Sequence, residues 1–505
     1  MKRPRLLPAL AGIAAVAFGL GVAELVAGVF APRASPVVVV GAALIDLAPP
    51  WAKDAAIALF GTADKVALLA GIALVLAGLA ALAGVLEFRR PMLGRAIVLG
   101  GGLLGLAAAV TRAGASPLDA TPAAAATIAA VLALPALLDR IPGRPAAPEP
   151  GDVSRRRFLG WAGGAAAAGA LAALAGSALR AGVRATTAAR DALRLPAPAV
   201  ALPPAPASAS LDVPGISPVI TPNAQFYRID TALQVPDVDP AGWSLRIHGM
   251  VEREVVLTWD ELLALPLEES RTTLSCVSNP VGGDLIGTAT WLGYPIRHLL
   301  ERAAPLTGAD MVLSRSVDGF TASTPLEALT DDRAAILAVG MNGEPLPFEH
   351  GFPVRMVVPG LYGYVSATKW VSELEVTRFA DAEAYWTTRG WSERGPIKLQ
   401  SRIDVPRGRV EPGDTVIAGV AWHPHTGVAR VEVSVDEGPW REAELATPLS
   451  ADTWVQWRLD WRATPGTHVL SVRATSADAE VQTAQLADVV PDGATGHHTV
   501  TVVAG

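Results

Sequence analysis

Leu6 to Phe30 is an almost uninterrupted apolar run of 25 residues. Wound as a helix it reaches about 37 Å, enough to cross a bilayer with some tilt. Similar runs follow at Val66 to Leu86, Ala96 to Val110, Pro122 to Leu138 and Phe158 to Leu179, so the chain carries five candidate spans in its first 180 residues. The third is short, and its flanking Arg95 and Arg112 suit snorkelling toward the two interfaces. Pro36 to Ile45 is apolar but brief, cut off by Asp46, Pro49, Pro50, Lys53 and Asp54, and reads as a re-entrant or interfacial piece. Basic clusters fix the expected topology: Lys2, Arg3 and Arg5; Arg89, Arg90 and Arg95; Arg140, Arg144 and Arg155 to Arg157. With five spans all three face the cytoplasm and everything after residue 180 lies outside. Glu24, near the outer end of the first span, reads as an interfacial carboxylate.

Charge divides the chain at the same place. Residues 1 to 199 hold 19 Lys+Arg and 10 Asp+Glu, a net of +9; of the 41 and 48 in the whole chain, 22 and 38 remain, a net of −16 for residues 200 to 505. An acidic soluble part excludes nucleic acid as a partner, since phosphate binding needs clustered cations. All eight histidines follow residue 200, which excludes a membrane module holding haem by paired histidines. Cys276 is the single cysteine, so no intramolecular disulfide forms. It stands where an apolar strand pattern, Thr272 to Cys276, breaks into a loop with Pro280, Gly282 and Gly283, a place where a thiolate can ligate a transition metal.

Ser154-Arg155-Arg156-Arg157-Phe158-Leu159 ahead of an Ala/Gly-rich helix resembles a twin-arginine export signal, the route that carries folded, cofactor-loaded domains. Residues 183–212, with Leu195-Pro196-Ala197-Pro198 and Pro203-Pro204-Ala205-Pro206, read as an extended linker. Beyond it short strands and helices alternate. Trp243 to Gly249 has strand periodicity, and Thr258 caps a helical pattern to Leu265, giving an α+β expectation.

In this part Asn223-Ala224-Gln225-Phe226-Tyr227-Arg228, Leu274-Ser275-Cys276-Val277-Ser278-Asn279, Trp291-Leu292-Gly293-Tyr294-Pro295, Asn342-Gly343-Glu344-Pro345, His350-Gly351-Phe352-Pro353-Val354-Arg355, Val358-Pro359-Gly360 and Lys369-Trp370 occur in this order. Together they resemble the sulfite oxidase family of molybdopterin enzymes, over residue 215 or so to the C-terminus. The resemblance implies a molybdenum-molybdopterin cofactor with Cys276 as metal ligand. Arg355, Lys369 and His350 would hold the pterin phosphate, and Asn223, Tyr227, Arg228, Ser316, Asp318 and Thr368 would contact the cofactor. A guanidinium fork and an ammonium suit a phosphate. Two departures bear on substrate. Val281 stands where sulfite-oxidising members carry an arginine, and Trp391 where they place a tyrosine near the metal, which makes Trp391 and Arg228 the expected catalytic-pocket residues beside Cys276.

From Ile397 onward the pattern is all β, with Val431 to Trp440 its clearest piece, and resembles the family's immunoglobulin-like dimerisation domain. The stripe Trp454, Trp457, Trp461 reads as core. His497 and His498 point to opposite strand faces and do not form a metal pair.

The expected organisation is a membrane module of about four helices (1–150), a signal-like fifth helix (151–182), the linker (183–212), a molybdopterin domain (213–392) and an immunoglobulin-like domain (393–505). The expected protein is a membrane-anchored, extracytoplasmic oxidoreductase that transfers oxygen atoms to or from a small oxo substrate. It would pass electrons to a separate cytochrome or membrane redox protein, and a homodimer is expected. The rivals are a sulfoxide or other oxo-compound reductase on the same scaffold, and a cofactor-free tethered binding protein. Replacing Arg155 and Arg156 by Lys should leave the early helices inserted but strand the soluble part in the cytoplasm, as read by protease protection in spheroplasts.

Overall fold

The computed structural model describes residues 6–31, 34–49, 52, 59–60, 64–111, 115–141, 155–179 and 183–505. The chain divides into two compact units, Met1–Ala188 with Thr231–Val235, and Ala189–Asp230 with Pro236–Gly505.

The first unit is helical: α1 (Leu6–Phe30), α2 (Pro36–Leu47), α3 (Asp64–Arg89), α4 (Leu93–Val110), α5 (Thr121–Leu138) and α6 (Arg155–Leu179). Among the described residues five helical stretches are long and apolar enough to cross a membrane: Leu6–Phe30, Lys65–Arg89, Leu93–Val110, Pro117–Leu138 and Arg156–Ala178. At 12 residues, α2 is too short. Lipid offers little hydrophobic drive for helix association, so small residues that admit close backbone approach do the packing. A Cβ on Gly12 would fall 1.9 Å from the Ala80 carbonyl of α3, and one on Gly21 would fall 2.0 Å from the Gly169 carbonyl of α6. Glu24 accepts a hydrogen bond from the Ser35 hydroxyl. The buried carboxylate of Glu87 accepts from the amides of Met92 (3.2 Å) and Arg95 (3.1 Å) and from Arg95 Nε (2.8 Å), countering the positive end of α4. Arg155 opens α6. Ser154 lies outside the described residues, as do Lys2, Arg3, Arg5, Pro50, Lys53, Asp54, Arg112 and Arg144.

In the second unit the Pro-rich stretch is strapped to its neighbours. Arg190 donates to the carbonyls of Leu346 (2.8 Å) and Pro345 (2.9 Å), the Ala199 amide donates to the Leu267 carbonyl (2.7 Å), and the Leu211 amide donates to Gln456 Oε1 (2.7 Å). Proline removes amide donors and favours extended backbone, so this segment holds by the few donors it keeps.

Two sheets follow. One has the order β2-β1-β10-β5-β6, built from β1 (Ser244–Gly249), β2 (Val255–Thr258), β5 (Met311–Ser316), β6 (Thr321–Pro325) and β10 (Val371–Thr377). The other runs β3-β4-β7-β8 with β9 on β7, from β3 (Glu268–Ser275), β4 (Ile286–Pro295), β7 (Ile336–Met341), β8 (Glu344–Pro345) and β9 (Arg355–Val357). Thr258 caps the helix α7 (Trp259–Ala264) by a reciprocal pair with Glu261, as the spacing requires. Phe226, Leu274, Trp291, Ile336 and Phe352 share the core under the second sheet.

Residues 400–504 form two more sheets. The first, β11-β13-β17-β16, comprises β11 (Gln400–Val405), β13 (Gly413–Trp422), β16 (Glu444–Leu445) and β17 (Val455–Ala463). The second, β12-β19-β18-β14-β15, comprises β12 (Gly408–Val410), β14 (Val428–Val435), β15 (Arg441–Glu442), β18 (Gly466–Ser476) and β19 (His498–Ala504). Ile417 and Trp457 of one sheet meet Val433 and Leu470 of the other in a single core, with Trp461 joining it. Trp454 leaves the stripe: its Nε1 donates to the Val219 carbonyl at 2.9 Å. Leu470 is fully buried between the sheets, so Leu470→Ala should destabilise the unit by about 2–5 kcal/mol. Urea unfolding of the solubilised chain, followed by tryptophan fluorescence, measures it.

Candidate functional site

Cys276 follows the last residue of β3, and the register Ser275↔Ile286 makes its loop a closed excursion between two paired strands. The Cys276 amide donates to the Leu285 carbonyl (2.9 Å), the Leu285 amide to Asn279 Oδ1 (2.9 Å), and the Asn279 amide to the Cys276 carbonyl (3.1 Å). The thiol is buried, which pushes its pKa up, while the Ser278 amide and hydroxyl act in the opposite sense. Two donors on one sulfur favour a thiolate once a positive partner arrives.

Arg355 opens β9 and is buried. Its guanidinium donates only to carbonyls, those of His350 (3.2 Å), Met356 (3.3 Å) and Ala367 (3.5 Å), and lies 5.0 Å over the Trp291 ring. Among the described residues no carboxylate pairs with it. Burial alone pulls its pKa down to about 10, the mark of a cation lacking a counter-charge. Lys369 is also buried. Its Nζ donates to Asp230 Oδ2 at 2.8 Å and to the Glu349 carbonyl at 2.9 Å. The same Asp230 oxygen accepts from Arg228 Nε at 2.9 Å. Even so, burial brings Lys369 down to about 8.

His350 closes the short turn before Arg355, where Gly351 takes φ +111°. Its Nε2 meets the Asn223 carbonyl at 3.3 Å, so Nε2 carries the proton. Burial first, then Arg355 and Lys369, hold its pKa near 4, and the ring is neutral at pH 7. Asn223 is fixed in turn, its Oδ1 accepting from Asn342 Nδ2 at 2.8 Å. Tyr227 stacks on Phe226 at 5.3 Å, and its hydroxyl pKa is driven up by burial and by the Cys276 charge, with Arg355 opposing.

Through these contacts Cys276, Tyr227, Arg355, His350, Asn223, Lys369 and Arg228 form one connected cluster, although they come from segments up to about 150 residues apart. Thr368 is buried behind it, its hydroxyl bonded to Ser314 at 2.7 Å. Ser316 and Asp318 occupy the β5–β6 turn: Ser316 pairs in register with Val371, and the Val317 amide donates to the Trp370 carbonyl at 3.0 Å. Their segment abuts the strand that follows Lys369. Trp391 packs in a separate aromatic group, 5.9 Å from Tyr364 and 6.1 Å from Trp386. Tyr362, pushed up to about 12 by burial with a further contribution from Cys276, is nearer the thiol in its electrostatics.

Four contributors escaped the sequence reading: Asp230, Ser278, Trp291 as the ring under Arg355, and Tyr362. Asp230 and Ser278 each lie two positions from a residue singled out there, a spacing that hints at local pairing. The other two carry no local signal.

The cluster fits a doubly charged phosphate and a soft-ligated metal. An uncompensated buried guanidinium beside an ammonium suits the one, and the Ser278-supported thiol suits the other. Residues 232–386 match the family model described as oxidoreductase molybdopterin binding domain. Rat mitochondrial sulfite oxidase (Rattus norvegicus) is 31% identical over 289 residues, covering 48% of this chain and 52% of its own. Chicken sulfite oxidase (Gallus gallus) is 31% identical over 314 residues, covering 52% of this chain and 68% of its own. A Bacillus subtilis (strain 168) protein called uncharacterized oxidoreductase YuiH is 30% identical over 180 residues, covering 35% of this chain and 87% of its own. The chain spans about half the length of the first mammalian relatives it matches.

The buried Lys369 gives a signed pH dependence. An unfolded lysine keeps its proton to about pH 10.4, so between about pH 8 and 10.4 the unfolded state binds more protons and the folded state gains stability as pH rises. That gain is on the order of 3 kcal/mol at most. Lys369→Met should flatten it in a denaturation midpoint measured against pH on cofactor-free chain.

Proposed function

Because the chain belongs to the sulfite oxidase family of molybdopterin-dependent oxidoreductases, we propose that it is a membrane-anchored, extracytoplasmic enzyme acting on a small oxo compound. Its cofactor is molybdenum-molybdopterin. When bound, that group supplies two-electron oxygen-atom transfer. The observation that carries the reading is the pairing of an uncompensated Arg355 guanidinium with the Ser278-supported Cys276 thiol in one buried cluster.

Cys276 would hold the metal as a thiolate, its ionisation opposed by burial and favoured by the Ser278 donors. Arg355 and Lys369 would hold the pterin phosphate. His350, neutral across the working pH range, keeps its Nε2 proton on the Asn223 carbonyl and so orients the segment between them. Arg228, half-exposed and fixed by Asp230, is the cation left toward the substrate side. Tyr227 stays protonated and serves as a hydroxyl donor. Asn223 and Thr368 position the cofactor-facing backbone. Ser316 and Asp318 belong to its periphery, and Trp391 with Tyr364 contributes an apolar wall.

Val281 occupies the loop position where sulfite-oxidising members carry an arginine, which favours a second reading, reduction of a sulfoxide or another neutral oxo compound. Charge-assisted hydrogen bonds of the kind a sulfite dianion needs are each worth about 1.5–3 kcal/mol, and that source is missing here.

Five helices long and apolar enough to cross a bilayer support a membrane anchor, and in this reading the basic flanks keep to the cytoplasm while residues after 180 lie outside it, exported through the twin-arginine-like signal. Electrons pass to a separate cytochrome or membrane redox protein. The two-sheet region from residue 393 is of immunoglobulin-like type and pairs two copies of the chain.

Purified wild type should carry about one molybdenum per chain by elemental analysis. Cys276→Ser should lose turnover by two or more orders of magnitude with artificial electron carriers. A metal-free wild type, or full turnover in the variant, would sink the reading. Comparing sulfite oxidation with sulfoxide reduction in the same preparation separates its two forms.

A further inference from the structure

The loop that carries Cys276 is held from outside its own domain. Its tip is Gly282-Gly283, and both residues are met by side chains from the C-terminal two-sheet region. Arg402, in β11, donates from Nη1 to the Gly283 carbonyl at 2.6 Å. The rest of that guanidinium is committed: Nε to Asp404 Oδ1 at 2.7 Å and Nη2 to Ser217 Oγ at 2.7 Å. Asp404 neutralises it, so Arg402, unlike Arg355, is not waiting for an anionic ligand.

His498, the first residue of β19, meets Gly282. Its Nδ1 accepts the Ile403 amide at 3.0 Å, which leaves the proton on Nε2 and ties the ring in place. Gly282 takes φ +74°, and a Cβ there would fall 2.1 Å from His498 Cδ2 and 2.3 Å from Nε2. Buried and bonded at Nδ1, the ring cannot yield. The base of the loop is held from the same side: the Trp454 amide donates to Thr273 Oγ1 at 2.8 Å, and the Thr273 amide donates to the Asp452 carbonyl at 2.9 Å.

We infer that the C-terminal region is part of the metal-ligand scaffold, with Arg402 and His498 as positioning residues that keep the Cys276 loop in register. The inference rests on Cys276 being the molybdenum ligand, as proposed above. Strand residues fix the tip at Gly282 and Gly283, and the Asn279 amide bonds the Cys276 carbonyl at the other end of the loop. If the tip is released, Ser278 swings away from the sulfur and the ligand loses its direction.

The test uses full-length chain in detergent, cofactor-free and loaded. Hydrogen exchange at the Cys276 and Leu285 amides reports the loop, with β18 amides as the control for global folding. In Arg402→Gln exchange should rise about tenfold or more at those two amides and stay unchanged in β18, because local opening is separable from global unfolding. Arg402→Lys, which keeps one donor for Gly283, should recover part of it. In loaded protein the thiolate-to-metal charge-transfer band should shift in Arg402→Gln and move back in Arg402→Lys. Gly282→Ala and His498→Ala should each loosen the loop, and together do so less than additively, since the added methyl occupies the space the ring vacates while the backbone cost of a side chain at φ +74° remains. Wild-type exchange in Arg402→Gln and His498→Ala, strict additivity of the Gly282 and His498 effects, or an unshifted band would overturn the inference. A wild type without molybdenum would instead remove the reading of Cys276 as a ligand, and the exchange results would still stand.

Discussion

A guanidinium buried without a carboxylate is the constraint on which the soluble unit turns. Arg355 has only carbonyl oxygens and the Trp291 ring around it, and removing a charge from water with no counter-ion costs several kcal/mol. A fold that keeps such a group must recover that cost elsewhere, either from the packed core below it or from an anion that arrives later. The neighbouring cations show the contrast. Lys369 and Arg228 share the Asp230 carboxylate, and Arg402 is matched by Asp404. Among the described cations of the cluster, the charge at Arg355 is the one left open, and it lies with the thiol and the neutral imidazole.

The thiol obeys a related logic. Burial opposes its ionisation and outweighs the Ser278 donors that favour it, so the group stays a thiol until a metal supplies positive charge. A ligand poised this way depends on geometry, because a hydrogen bond weakens steeply when its donor turns away. The loop therefore needs restraint from more than its own backbone, and strands from a separate two-sheet region supply it through Gly282 and Gly283.

The helical unit solves a different problem with different residues. Its helices are apolar nearly all round, so no amphipathic stripe tells one face from another, and glycine contacts between backbones decide the packing. Its buried Glu87 carboxylate, paired with Arg95, sits where a helix begins, and the amides there share the charge.

Apolar run length made the five long apolar helices legible from the sequence, and residue alternation did the same for the C-terminal strands, since both are one-dimensional patterns. The identities of Cys276, Arg355, Lys369 and His350 could be read from local motifs, and the structure gathers them into one cluster. Their partners could not be read so. Asp230 reaches Lys369 across 139 positions, Arg355 lies over Trp291 across 64, and Arg402 holds Gly283 across 119. Nor did sequence show that the Pro-rich stretch after residue 189 is tied along the catalytic part, or that Trp391 packs on Tyr364 and Trp386. The sequence by itself determined which residues carry the chemistry and which segments prefer lipid. Tertiary structure decided which cation is left uncompensated and what holds the thiol in direction, because charge balance and loop register depend on distances in space that no local pattern encodes.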